Sequence, residues 1–519
     1  MVAGALAFVL HGHLPYVRSR AAGSLEEDWY FQALSESYLP LLESLQRCID
    51  QGGEPRLTMS LSPTLLSLLV DPVLQERFEP WVEQRCRLLE RCSPEEEAAA
   101  QHLHGHFQRQ LKAFRSLDGQ VQRGFQQLQQ AGILDLITCS ATHGYLPLLR
   151  DPAEAVHGQL RTAVREHERV LGVAPQGIWL PECAFYEGLD QQLAAVGLRY
   201  AVLDAHGLLH GLPRPRYGVY APICSSASVA FFGRDSEATL PVWSASDGYP
   251  GRGAYREFHR DIGWELSEEE LNAAGILSSR PLGLKLRRVS GGDCPLGDKL
   301  PYDPEDASRT AQSDAGSYVA ERVRQLHELT AVMDRPPLVV APFDAELFGH
   351  WWFEGPQFLE QVFLQGKAAG LGFSTLRQNL ASQPQLQVCR PSPSSWGQGG
   401  YHGYWLSDSN AWVVPDWHRA SLAMTQALRQ HPGRNPQQQR LLQQAARELL
   451  LAQSSDWSFI LRAGTTTELA RDRIRRHLGR FWRLLEGLKP GGQVDSQWLQ
   501  ALEAEDSLFP SIDPDDWQL

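Results

Sequence analysis

The 519-residue chain has no C-x-x-C pair among its eight cysteines, at 48, 86, 92, 139, 183, 224, 294 and 389. A zinc ribbon or a disulfide framework needs closer, regular spacing, so the cysteines point to a reducing, cytoplasmic setting. No apolar run approaches the length that crosses a bilayer, which argues against a membrane partner. The opening MVAGALAFVLHGHLP has no basic start and runs directly into histidines, so it reads as a first strand and not as a signal peptide. Basic charge is also in deficit: Asp and Glu number 61 against 48 Lys and Arg, a net charge of −13. A nucleic-acid backbone would need the opposite balance. Internal repeats and low-complexity tracts are missing, which removes solenoids and compositional tails from consideration. What is plentiful is tryptophan, fifteen in all. Indoles stack on flat apolar faces, sugar rings included, or fill cores.

Several apolar runs end abruptly in polar residues. AGALAFVL (3–10) leads to His11 and His13, and ILDLITCSATHGYLP (133–147) delivers His143. QGIWLPECAF (176–185) delivers Glu182, and RYAVLDAHG (199–207) ends in Asp204 and His206. VAFFGRD (229–235) and RLTMSL (56–61) are further strands, and RPPLVVA runs into FDAELFGHWW (343–352) with Asp344. Helical spacing is predicted near 35–49, 189–197 and 312–333, with a helical excursion over about 75–130 and a long loop over 264–305. From about 414 the pattern is helical only, clearest at 466–488, where Trp482 is expected in the core. Strands alternating with helices describe a parallel β/α barrel or a doubly wound sheet.

The strand ends thus collect His11, His13, His143, Glu182, Asp204, His206 and Asp344. In such folds these ends carry binding and catalytic groups. Glu182 and Asp344 come from different strands, and retaining glycoside cleavage needs two carboxyls at roughly 5–5.5 Å. Asp344 follows Phe343 and precedes a Trp pair, and desolvation there would hold a proton on it near neutral pH. A plain helix cap is the alternative reading. His11-x-His13 could form a metal pair on one strand face. Within HLHGHF, only His102 and His106 share a helix face, and no function is assigned to the cluster. Asp204 and His206 could be loop-capping groups, Glu346 reads as structural, and Cys183 has no paired base.

The pieces HGHLP (11–15), CSATHGYLPLL (139–149), WLPE (179–182), VWSASDGYPG (242–251), FDAELFGHWW (343–352) and SDWSF (455–459) resemble glycoside hydrolase family 57, and within it the α-1,4-glucan branching enzymes. They run along nearly the whole chain in that family's order. The resemblance implies an α/β fold, a (β/α)7 barrel over 1–385 with a helical insertion at about 75–130 and lid and loop insertions at about 206–305. A C-terminal all-α domain, 386–519, would contribute cleft residues. It implies retaining chemistry without metal or cofactor, with Glu182 as nucleophile and Asp344 as acid/base. His11, His13, His143, Trp351 and Asp456 would bind the α-1,4-glucan, whether amylose, glycogen or starch-like. Tyr217 of PRPRYG would sit on a loop over the cleft, and Trp243, Trp396 and Trp405 would line it. A monomer or small homo-oligomer is expected.

A transferase also has a physical logic. Water at ~55 M competes for the glycosyl-enzyme, so an acceptor must win through effective molarity, about 10⁵–10⁸ M for well-placed groups. The other readings are an α-glucan hydrolase or 4-α-glucanotransferase on the same fold, and a metal-dependent polysaccharide deacetylase-like barrel using His11, His13 and an aspartate. A catalytically dead glucan-binding protein is the remaining one.

Overall fold

The computed structural model describes residues 4–90, 92–244 and 248–519. Part of the VWSASDGYPG motif, residues 245–247, lies outside these. The strands are β1 (Ala5–Gly12), β2 (Leu57–Leu61), β3 (Leu134–Ile137), β4 (Gly177–Ile178), β5 (Tyr200–Leu203), β6 (Ile223–Cys224), β7 (Ala230–Gly233), β8 (Leu338–Asp344) and β9 (Gln387–Val388). They form two sheets, β3-β2-β1-β8 and β4-β5-β7-β6-β9. A parallel bridge between Thr138 and Ile178 joins β3 to β4. Past the end of β7, the Asp235 N–H donates to the Val340 carbonyl of β8 at 2.9 Å. The ring β1-β2-β3-β4-β5-β7-β8 is therefore a parallel seven-stranded barrel, and β6 and β9 lie at its side.

Period-two alternation explains how the strands serve two cores. Leu6, Phe8 and Leu10 of β1 and Val339, Ala341 and Phe343 of β8 face the surrounding helices. Ala7, Val9, Leu338, Val340, Tyr200, Val202, Ala230 and Phe232 fill the barrel interior. Both faces are buried, hence the unbroken apolar runs in sequence. Extending these inward rows, by one place in β1, β5 and β7 and by two in β8, gives His11, Asp204, Arg234 and Asp344 at the C-terminal mouth. Strand register puts the Cα of His11 opposite those of Ser60 and Asp344.

The insertion after β2 is three long helices, Pro72–Leu89, Glu97–Ser116 and Val121–Gln130. The expected helix at 312–333 begins earlier, at Pro304, capped by the Asp303 side chain. The 264–305 stretch is mostly irregular but ordered from within. Buried Asp261 accepts backbone N–H groups from Gly263, Leu282, Gly283 and Leu284, donors that a loop otherwise leaves unpaired.

Residues 387–413 are tied to the barrel through bridges Leu212–Arg390 and Phe185–Ser394. The helix-only part starts at Val414 and ends in a turn whose Trp517 packs against Gly158. Trp482 is not in the core: it is 38% exposed, whereas its neighbour Phe481 is buried. One residue is a 100° step around a helix, which carries Trp482 off the stripe through Ile474, Leu478 and Phe481. No helix among the described residues is long and apolar enough to cross a membrane.

Candidate active site

A cavity of about 320 Å³ opens at the barrel mouth, and His11, His13, His143, Glu182, Asp344, Trp351, Trp396 and Asp456 all line it. Glu182 follows β4 in a turn after Pro181, with φ +60°. His143, beyond β3, has φ +55°. Left-handed backbone disfavours such side chains by about 1–3 kcal/mol each and persists only where surroundings hold it. At Glu182 the hold is visible: Trp396 donates its backbone N–H to the Glu182 carbonyl at 3.0 Å and its indole N–H to Glu182 Oε2 at 2.6 Å.

Asp344 has the opposite environment. Among the described residues no side chain hydrogen-bonds its carboxyl. Burial pushes it well above the usual carboxylate range, the charges of Glu346 and Glu182 add to that, and Arg234 opposes it. Burial also raises Glu182, to about 7, against the pull of the Trp396 N–H. Interacting carboxyls release protons in sequence. The donor on Glu182 and its lack on Asp344 set the order: Glu182 ionises first while Asp344 keeps its proton.

The histidines form a parallel stack, His13 on His143 at 4.1 Å and His11 on Trp179 at 5.0 Å. Their ring nitrogens have protein partners throughout. His11 bonds Ser60 Oγ at 3.1 Å and His143 Nε2 at 3.0 Å, and His143 Nδ1 bonds Ser455 Oγ at 2.8 Å. His13 bonds Ser62 Oγ at 2.9 Å and Asp456 at 3.1 Å, and its backbone N–H donates to Glu346 at 3.0 Å. Burial holds His11 and His143 well below the usual imidazole range, so both are neutral. Asp456 is driven down to about 2, because His13, His143 and the Ser454 hydroxyl together outweigh a large burial effect of opposite sign. Atoms of His13, His143 and Asp456 lie within 4.8 Å of one another, one of the groups among the described residues that could hold a cation. A cation there would displace the bonds just described. Among the described residues His11 and His13 do not fall in one such group, since His11 groups with Cys139 and His143.

Three expected cleft residues lie outside the catalytic cavity. Tyr217 lies at the opposite end of the barrel, where its hydroxyl bonds Asp334 and its ring lies under Arg335 at 4.8 Å, beside Pro336 and the start of β1. It does not cover the mouth. Trp405 is 2% exposed and stacks on Tyr145 at 4.6 Å, behind Gly397, and does not reach the cavity. Trp243 is outside the catalytic cavity too, but its ring is 5.9 Å from that of Trp396. Asp204 caps the helix Ala205–Leu209, and His206 bonds the Gly400 carbonyl at 2.9 Å. Glu346, read as structural, is a lining residue that accepts from the Tyr38 hydroxyl. The Cys183 thiol is raised well above its usual range by burial, which removes it as a nucleophile.

Some site residues were not singled out from sequence: Trp29 and Phe459 in the lining, and Arg234, 3.6 Å from Asp204. Arg234 had a readable signal, because it continues the inward row of Ala230 and Phe232.

Fold and site together define a glycosidic-bond enzyme on a β/α barrel, with two half-buried carboxyls of unequal proton affinity in one aromatic cavity. Comparison with known proteins agrees. A family model described as glycosyl hydrolase family 57 matches residues 7–270, and one described as 1,4-alpha-glucan branching enzyme, C-terminal, matches 416–517. A 1,4-alpha-glucan branching enzyme of Thermococcus kodakarensis is 31% identical, over 98% of this chain and 78% of that protein. The crystal structure of the α-amylase AmyC of Thermotoga maritima superposes with a TM-score of 0.91 at 34% identity, covering 100% of this chain and 99% of that one. The branching enzyme of Pyrococcus horikoshii does so with 0.90 at 31%, covering 99% and 96%. The chain belongs to glycosyl hydrolase family 57.

Proposed function

We propose that this protein is a 1,4-α-glucan branching enzyme. Asp344 protonates the departing glycosidic oxygen while the Glu182 carboxylate attacks C1, leaving a glycosyl ester on Glu182. The 6-hydroxyl of another glucan then attacks C1, its proton passes to Asp344, and an α-1,6 bond replaces the ester. The observation that carries these roles is the Trp396 N–H on Glu182, with no such donor on Asp344 among the described residues. Substrate hydroxyls bond Asp456 and, where each exchanges one protein partner, the stacked histidines, with Trp351 and Trp396 as sugar platforms.

The substrate class follows the full-length likeness to branching enzymes. We place the activity in the cytoplasm, in glycogen biosynthesis, which suits eight free cysteines. The likeness to AmyC favours a second reading, α-glucan hydrolysis. Incubation with amylose, proton NMR of the α-1,6 anomeric signal and chain profiling after debranching decide between them. Glu182→Gln and Asp344→Asn should each lower glucan cleavage about 10²–10⁴-fold. New reducing ends without α-1,6 linkages would turn the assignment to a hydrolase.

A further inference from the structure

Cys139 has no part in the chemistry above, yet it is fully buried and shares the barrel interior with Ile137. Its Sγ and one ring nitrogen each of His11 and His143 lie within 4.8 Å of one another. We infer that these three side chains bind a thiophilic d10 cation of the zinc type, and that its binding shuts the catalytic site. The inhibition, though not the binding, rests on the glucan reading of this cavity.

The hydrogen bonds show what the cation replaces. Ser60 Oγ donates to the Thr138 carbonyl at 3.2 Å, and a hydroxyl has a single proton to give. It therefore accepts from His11 Nδ1, at 3.1 Å, which leaves a lone pair on His11 Nε2. His143 Nε2, 3.0 Å away, must then be the N–H that donates to it. The Ser455 hydroxyl donates in turn to His143 Nδ1, at 2.8 Å. A single proton thus lies between two Nε2 atoms that face each other beside a thiol. A cation takes that proton's place. The Ser455 hydroxyl turns, His143 carries its proton on Nδ1 instead, and both Nε2 lone pairs are free to bind. The thiol proton leaves to solvent as the sulfur–metal bond forms, and no electron changes hands. Each ring then has a serine oxygen on Nδ1, which fixes its orientation as outer partners of metal-binding imidazoles do.

The surroundings suit a dication. Glu182 Oε1 is 4.0 Å from His143 Nδ1, and the charges of Glu182 and Asp456 reach the Cys139 thiol. His11 and His143 line the catalytic cavity of about 320 Å³, which gives an entry path and an open fourth position. The group His13, His143 and Asp456 has no sulfur, so a thiophilic ion favours Cys139 over it. In the remaining group, Glu448, His477 and Asp506, Arg480 already reaches Asp506 at 2.6 Å and supplies the positive charge. With both Nε2 atoms on a metal, neither His11 nor His143 can exchange a partner for a substrate hydroxyl. Metal and glucan therefore exclude each other.

The test uses the full chain after dialysis against EDTA, with cadmium as optical probe and zinc as inhibitor. A thiolate–cadmium bond adds an ultraviolet charge-transfer band, which wild type should show and Cys139→Ala and Cys139→Ser should lose. The other seven cysteines remain in both variants and serve as the blank. Zinc should raise KM for amylose in wild type at constant kcat, and EDTA should reverse it. Loss of an outer partner costs about 10–100-fold in metal affinity and loss of a ligand costs more, so half-inhibition by zinc should rise at least about 100-fold in both variants. Thermal melts check folding, and metal-free cleavage by the variants should stay close to wild type. A wild type without the band, or a folded variant that keeps the band or the wild-type zinc inhibition, overturns the site. Relief by Asp456→Asn with none by Cys139→Ala moves the cation to the His13 group and overturns it too. Should neither variant fold, X-ray absorption of the wild-type zinc complex decides: sulfur with two nitrogens supports the site, and oxygen and nitrogen alone overturn it. The cadmium band is read without substrate, so a wild type that shows it yet forms no α-1,6 linkage refutes branching alone.

Discussion

At the scale of single residues, the Trp396–Glu182 bond does the most to separate two otherwise similar carboxyls. Replacing Trp396 by Phe keeps the ring but removes the N–H. A hydrogen bond to a charged group is worth about 1.5–3 kcal/mol, so Glu182 should rise by about one to two pH units from its value near 7. The sign follows from the role: cleavage appears as Glu182 ionises, so the acidic limb of kcat/KM should move to higher pH in Trp396→Phe. A limb that stays put would show that the indole N–H does not set the ionisation of Glu182. The alkaline limb, which reports Asp344, should move little.

At the scale of elements, the helical part contains a second set of buried ionisable groups that takes no part in the chemistry. Glu448 on the helix Pro436–Ala452, His477 on Thr467–Glu486 and Asp506 at the end of Ser496–Glu505 meet within 4.8 Å. His477 Nδ1 is 2.7 Å from Glu448, Gln444 donates to Glu448 at 2.9 Å, and Arg480 reaches Asp506 at 2.6 Å. Burial raises both carboxyls to about 7, Glu448 against the pull of Gln444 and Arg480, and Asp506 with the added charge of Glu448. An acid whose folded pKa exceeds its unfolded one binds more protons when folded. Its contribution is therefore full below about pH 4 and is lost as pH rises through about 7. Glu448→Gln cannot ionise, so its stability should gain on the wild type as pH increases from 5 to 8. The slope should be at most about 1.4 kcal/mol per pH unit for one group. Urea melts across that range measure it; parallel curves would mean the cluster stays protonated or stays charged throughout.

At the scale of the whole molecule, barrel and helical part share one site. Asp456 and Ser455 come from the helix Ser455–Ala463, yet they hold His13 and His143 at the barrel mouth. Asp456→Ala leaves His13 without its carboxylate and should reduce kcat/KM on amylose by about 10–100-fold, on the order of one or two charged hydrogen bonds. The melting temperature should move only slightly, because the residue packs no core. Wild-type kcat/KM would place substrate contacts elsewhere in the cavity.

Much of this arrangement was legible along the chain because strand alternation is a local property. A row of period two needs no knowledge of distant residues: Ala7 and Val9 pointing inward already commit His11, and Leu338 and Val340 commit Asp344. The same rule reached Asp204 and would have reached Arg234. Tertiary structure decided the rest. Tyr217 lies on the connection that must return from the top of β5 to the bottom of β7, and nothing local tells how far down the chain has travelled by that residue. Trp396 and Trp405 stand nine residues apart in one Gly-rich segment, yet one holds Glu182 and the other is sealed against Tyr145. A side chain's reach into a cavity depends on what packs behind it, and those partners come from remote parts of the sequence. The chain by itself therefore determined which residues end the strands, and the closed barrel decided which of them share a cavity.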